Sequence, residues 1–199
     1  MDVRIERTRQ SLMEALITLM GEKGFDNISV ANLTARAGCN RGTFYLHYKD
    51  KDELLREIEE DLLHGLVAQA GPFSLQRVSA DQPPAEPEPA LLDVFRYLAA
   101  HADAFRVLLG QRGDPAFLAR LKAIMRQNVS NQLAWFQARG QQPPMPHDFL
   151  SAYLTSAHVG VIQHWLESGM KYSPEYLALL MTRMARFWAS SALQHLLPL

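Results

Sequence analysis

Residues Ile28 to Leu55 read ISVANLTARAGCNRGTFYLHYKDKDELL, and the punctuation alone divides them into two short helices and the start of a third. Ser29 is a suitable N-cap for a helix carrying Val30, Leu33 and Ala37. Gly38 ends that helix, because glycine adopts the left-handed backbone of a helix stop at little cost. Asn40 caps a second short helix running through His47. Asp50, with Glu53 three residues later, forms a capping box that opens a longer helix from Lys51 to about Ala70. Neither short helix persists alone in water. Both must therefore pack on the helices before and after them, through Val30, Leu33, Ala37, Phe44 and Leu46. Two short helices joined by a tight turn at Gly38-Cys39-Asn40 make a helix-turn-helix, whose second helix is shaped to enter a DNA major groove. Gly42 removes a side chain from the exposed face and permits close approach.

Upstream, Ile5, Leu12, Leu16 and Leu19 share one stripe of a first helix that stops at Glu22-Lys23-Gly24, followed by a turn at Phe25-Asp26-Asn27. Downstream, Pro72 and the run Ala80 to Pro89 break the pattern, and their prolines predict an extended, exposed connection over about 72–89. Amphipathic segments then follow at about 90–101, 103–111, 115–138, 147–168 and 174–196, punctuated by Gly110, Gly113, Gly140, Pro143, Pro144, Pro146, Gly169 and Pro174. No period-2 strand interrupts them. The expected fold class is all-α, about nine helices, in two domains: a helix-turn-helix unit over 1–50 and a larger helical body over 51–199.

Composition sets the class. The 199 residues are 48% hydrophobic and 21% charged, ordinary for a globular chain with a real core. The formal net charge of −1 is unevenly spread: residues 1–51 hold eight basic against six acidic residues, the remainder twelve against fifteen. The asymmetry has the sign a nucleic-acid partner needs, but it is small. The single cysteine, Cys39, allows no internal disulfide and suits a reducing compartment, where a lone small thiol most often serves as packing. No signal peptide and no membrane-length apolar run are visible, so the expectation is a cytoplasmic protein without a membrane partner. Enzymatic chemistry lacks its usual marks. There is no glycine-rich phosphate loop after a strand and no G-x-S-x-G nucleophile motif. The seven histidines (47, 64, 101, 147, 158, 164 and 195) include no i,i+4 pair suited to zinc. The expectation is no catalysis, no metal and no cofactor.

The stretch Ala37-Gly38-Cys39-Asn40-Arg41-Gly42-Thr43-Phe44-Tyr45-Leu46-His47-Tyr48-Lys49-Asp50-Lys51, followed by Glu53-Leu54-Leu55, closely resembles the TetR/AcrR family of transcriptional regulators. The resemblance covers residues 4–56. Leu33-Thr34 and Cys39-Asn40 depart from the usual isoleucine-alanine and valine-serine, which bears on operator preference rather than on fold. It implies DNA binding by Ser29, Asn40, Arg41, Gly42, Thr43, Tyr45, His47, Tyr48, Lys49 and Lys51. Chemistry adds roles: Arg41 can be bidentate to a guanine edge, and the first turn after Ser29 can donate to a phosphate. Phe44 reads as core.

Reading two half-sites requires two recognition helices about 34 Å apart, hence a homodimer on palindromic operator DNA. The last two helices carry more apolar surface than one core face needs. Val159, Ile162, Trp165, Leu166, Leu180, Met184 and Phe187 are the candidate interface. The resemblance further implies an effector pocket among the middle helices, with Phe95, Tyr97, Leu98, His101, Phe105, Leu108, Leu109, Met125, Val129, Trp135 and His158 as candidate lining. The segment FLSAYLTSAHVGVIQHWLESGMKYSPEYLALLM is also similar to the C-terminal region of a Firmicutes-type subgroup. Two regulatory schemes follow: a repressor released by a small hydrophobic effector, or a TetR-shaped adaptor or activator controlled by a protein partner.

Overall fold

Caps and stops in the sequence set the observed boundaries closely. The computed structural model describes residues 3–70, 84–138 and 145–191, and the side chains at 5–70, 84–134, 137, 138 and 145–186. In chain order the helices are α1 (Val3–Lys23), α2 (Val30–Ala37), α3 (Arg41–His47), α4 (Lys51–Gln69), α5 (Pro89–Ala100), α6 (Ala102–Leu109), α7 (Pro115–Gln137), α8 (His147–Glu167) and α9 (Pro174–Ser191), with a 3₁₀ turn at Phe25–Asn27. No strand occurs among the described residues. Most of the proline-rich connection (71–83) and the punctuation at Gly140, Pro143 and Pro144 lie outside the described residues. Among those described, no helix is long and apolar enough to cross a membrane.

The chain divides into two compact units. The sequence reading draws a boundary at residue 50. The N-terminal unit instead runs to His64 and takes in His101–Leu118, which are α6 and the start of α7. The reason is apolar. Leu12, Leu16 and Met20 of α1, Leu33, Phe44 and Leu54 are fully buried, and so are Phe105 and Phe117. The rings of Phe105 and Phe117 meet at 6.1 Å. A helix-turn-helix of this size cannot bury α1 on both sides with its own two short helices, and α6 packs against α1 to complete the cover. Arg112 fixes the join, donating from Nη1 to the carbonyls of Gly21 at 3.1 Å and Glu22 at 3.0 Å, which are otherwise orphaned at the end of α1.

The second unit comprises Gly65–Ala100 and Ala119–Leu199. Within it α5 packs on α9, and Phe95 meets Trp165 edge-on at 5.4 Å. Glu88 is buried yet satisfied: its N–H donates to Thr182 Oγ1 at 2.9 Å, and its carboxylate accepts from Leu91 N–H at 3.2 Å, capping α5. Tyr97 lies across the α4 backbone at Gly65, where a Cβ would fall 2.1 Å from the phenol oxygen. Val129, Leu133 and Leu150 form a further apolar cluster with Met145 and Leu154. The α8 stop uses Gly169 at φ 73 and Met170 at φ 55, with Met170 N–H returning to Trp165 O at 2.9 Å.

Burial lowers the pKa of His158 on α8. The folded chain therefore keeps this imidazole neutral at a pH where the unfolded chain, with an ordinary value of about 6.5, already protonates. The stability tied to the neutral ring is intact above the unfolded value and is lost as pH falls through it towards the folded value. The unfolding temperature should thus drop between about pH 7.5 and pH 5, and drop less in His158→Leu. Equal losses in both proteins would mean that this histidine carries none of the acid sensitivity.

Candidate nucleic-acid interface

The two short helices are held by caps built from their own sequence. Ser29 Oγ accepts from Asn32 N–H at 3.2 Å, and Asn32 Oδ1 accepts in return from Ser29 N–H at 3.1 Å. Asn32 Oδ1 also takes the Ser29 hydroxyl at 3.0 Å and Lys23 Nζ at 2.8 Å. Gly38 stands at φ 67, a left-handed stop that side chains resist, and the chain turns there with Cys39 N–H on Thr34 O at 3.0 Å. Burial raises the Cys39 thiol pKa, which keeps it protonated. Asn40 then caps α3, its Oδ1 accepting from Thr43 N–H at 2.7 Å and from the Thr43 hydroxyl at 3.0 Å. A Cβ on Gly42 would press to 3.2 Å from that same Oδ1, so the cap itself favours glycine there. At α4, Glu53 N–H donates to Asp50 Oδ1 at 2.8 Å, while Glu53 Oε2 reaches back to Lys49 N–H at 2.6 Å, one residue earlier than the sequence suggests.

Between these caps α3 shows one side to the core and the other to solvent. Phe44 is fully buried, as expected, with Tyr45 edge-on at 5.3 Å and Tyr48 tilted at 5.9 Å. Arg41, Gly42, Tyr45 and Lys49 are exposed, and His47 and Thr43 are half-buried. Among the described residues, no ion pair engages Arg41 or Lys49.

Three readings change. Tyr48 does not face outward: its ring is buried, and its hydroxyl donates to Glu57 Oε1 of α4 at 3.3 Å. Glu57 also takes Arg9 Nη2 of α1, so one carboxylate ties three segments together at the end of α3. Desolvation raises the Tyr48 pKa, and hydrogen bonding to Glu57 and Tyr48 raises that of Arg9, which stays firmly cationic. Lys51 is also engaged inward, donating to Phe25 O at 2.9 Å and lying 4.3 Å from the centre of the Phe25 ring. It staples α4 to the 3₁₀ turn. Leu46, expected in the core, is 84% exposed. It is the outward residue that sequence reasoning missed, because an apolar side chain in a short helix reads as packing.

In the second unit, Val159, Ile162, Trp165 and Leu166 are buried against their own neighbours, so they form core and not a free face. The side α8 leaves open carries Phe149, Ala152, Tyr153, Ser156, Ala157, Gly160 and His164. Leu180 and Met184 of α9 are exposed, and the Phe187 side chain lies outside the described residues. The expected pocket residues divide between the units. Phe105, Leu108 and Leu109 are core of the first, and His101 is exposed there. Phe95 and Leu98 are core of the second, which also holds Tyr97, Met125, Val129 and His158; the Trp135 side chain lies outside the described residues. Thr155, one turn before His158, is buried with its Oγ1 lacking a hydrogen-bond partner among the described residues.

Residues 12–58 match the family described as bacterial regulatory proteins, tetR family, and residues 85–187 match a transcriptional regulator C-terminal region. An uncharacterized HTH-type transcriptional regulator of Bacillus subtilis, YxbF, is 24% identical over 184 residues, covering 89% of this chain and 44% of that protein. The chain spans less than half the length of the curated relatives it matches first. A TetR transcriptional regulator from Streptococcus agalactiae is similar in structure, with 26% identity, a TM-score of 0.57, and coverage of 90% of this chain and 96% of that one. NalD, the secondary repressor of the MexAB-OprM multidrug efflux pump in Pseudomonas aeruginosa, shares the fold at 21% identity and a TM-score of 0.64, over 91% and 96% of the two chains. One match falls on the helix-turn-helix and the other takes in more than half of the chain, and together they make this protein a member of the TetR family of transcriptional regulators.

Proposed function

We propose that the protein is a dimeric repressor that binds palindromic operator DNA through α3 and is released by an effector held in the C-terminal unit. The observation that carries this reading is the exposed surface of α3 and of the bend that follows it, where Arg41 and Tyr45 on the helix and Lys49 just past it are exposed and the two cations are unengaged by ion pairs among the described residues. A surface of this kind suits a polyanion: the cations hold phosphates, and a planar guanidinium matches the two acceptors on a guanine edge. Unengaged cations there favour DNA binding over an adaptor that keeps only the shape. The open side of α8 supports the dimer, since small residues (Ala152, Ser156, Ala157, Gly160) beside Phe149 and Tyr153 allow a second helix close approach. An unpaired buried hydroxyl costs about 1–3 kcal/mol, so Thr155 supports an effector whose polar group would satisfy it.

The test is a mobility shift with the DNA upstream of the protein's own gene. A palindrome-specific complex that weakens steeply with salt is expected. No complex, or one indifferent to sequence, would overturn the reading and leave the partner-controlled adaptor in its place. In the same assay Arg41→Ala should lose about 1–3 kcal/mol of discrimination at one position of each half-site while keeping its affinity for random DNA. Unchanged discrimination would remove Arg41 from base reading.

A further inference from the structure

We propose that Leu46 is a specificity-determining residue that reads thymine methyl groups on the floor of the major groove; the inference rests on the operator reading above. At about 3.6 residues per turn, Leu46 falls directly opposite the side of α3 that Phe44 and Tyr48 bury. It is therefore the apex of whatever this helix offers to a groove. Its exposure of 84% is the highest among the exposed large apolar side chains of the described chain, the next being Phe149 at 68%. Gly42, one turn earlier on the same side, has no side chain to hold the leucine away from a surface. On the other flank the Thr43 hydroxyl is committed to Asn40 Oδ1 at 3.0 Å. The centre of the presented face is thus apolar, while Tyr45 sits nearer its margin, Arg41 stands at the start of the helix and Lys49 follows its end.

A side chain at the apex meets base edges, not phosphates, when a helix lies in the major groove. Leucine can neither donate nor accept a hydrogen bond. Over guanine, adenine or cytosine it would cover acceptors and donors without pairing them, which is unfavourable. The apolar group in that groove is the C5-methyl of thymine. Leu46 accordingly favours thymine at the position beneath it and rejects bases whose polar atoms it would desolvate.

The probes are duplexes selected from a random pool by the full-length protein, and the same duplexes with deoxyuridine at single thymines, which deletes one methyl and nothing else. The wild-type protein should lose about three- to fivefold in affinity at one thymine of each half-site, the cost of one buried methyl. Leu46→Ala should bind the thymine duplex more weakly and be indifferent to that replacement. Its unfolding should stay close to wild type, because the side chain is 84% exposed. Identical uracil penalties in both proteins, or none in either, would overturn the inference while sequence-selective binding stands. Failure of the selection to enrich any sequence would overturn the operator reading and Leu46's role with it.

Discussion

Gly160→Arg is expected to make the protein monomeric at every attainable concentration and to lower its operator affinity by a factor on the order of 10²–10⁴, the advantage that linking two binding modules confers. Gly160 is exposed on α8, and a Cβ there meets nothing within 4 Å, so the subunit itself has room for the new side chain. Alanine and arginine are also better helix formers than glycine by close to 1 kcal/mol, so the isolated subunit should gain a little stability. Any damage must therefore come from what lies against that face in the proposed dimer. Two copies paired through α8 would meet across Ala152, Ser156, Ala157 and Gly160, and a guanidinium in that seam would be desolvated next to its symmetry mate. A monomer engages one half-site only, and the second contact is lost along with its register. Sedimentation or light scattering reads the oligomeric state, and titration of operator DNA reads the affinity. The same change at Ala123, exposed on α7, should leave both unchanged. A dimeric Gly160→Arg with native affinity would show that the open side of α8 is not where two subunits meet.

The sequence made the helices legible because their ends are chemical. Ser29, Asn40 and Asp50 are caps that act locally, and Gly38 stops α2 by backbone freedom alone; such signals survive any tertiary arrangement. The family match in the helix-turn-helix was legible for the same reason. Orientation within each element was harder to see. Leu46 and Phe44 are both apolar and two residues apart, and in a seven-residue helix periodicity cannot tell which of them faces inward. Tyr48 and Lys51 resemble DNA ligands by type, yet Glu57 and the Phe25 carbonyl hold them, partners on other elements that no motif within α3 points to. On α8 likewise, Val159, Ile162, Trp165 and Leu166 are apolar residues that draw attention, and they are ones that the subunit itself buries. The recruitment of α6 into the first unit depends on contacts spanning some ninety residues, such as Arg112 with Gly21, which no local pattern encodes.

Phe44→Ala should unfold the DNA-binding unit long before the rest of the chain, with a loss of about 3–5 kcal/mol, the range for truncating a fully buried phenylalanine. The ring is the one large apolar side chain that α3 commits to the interior, and it meets both Tyr45 and Tyr48. Its removal takes away transfer free energy and two aromatic contacts, and it leaves a cavity that a seven-residue helix capped at both ends cannot collapse into without losing its caps. Folded domains are stable by only about 5–15 kcal/mol, so the loss is a large share of what holds α3 in place. Denaturant unfolding should change from one transition to two, with amide exchange in α2 and α3 accelerating first. DNA binding should vanish at temperatures where the C-terminal unit is still folded. Leu46→Ala, two residues away on the same helix, should shift stability by no more than about 0.5 kcal/mol. The contrast separates the two sides of this helix: one side chain holds it in the protein, and the other is the exposed residue proposed to read DNA. A Phe44→Ala protein as stable as Leu46→Ala would mean that α3 is anchored by its caps and by the Tyr48–Glu57–Arg9 link alone, and that the buried ring is dispensable.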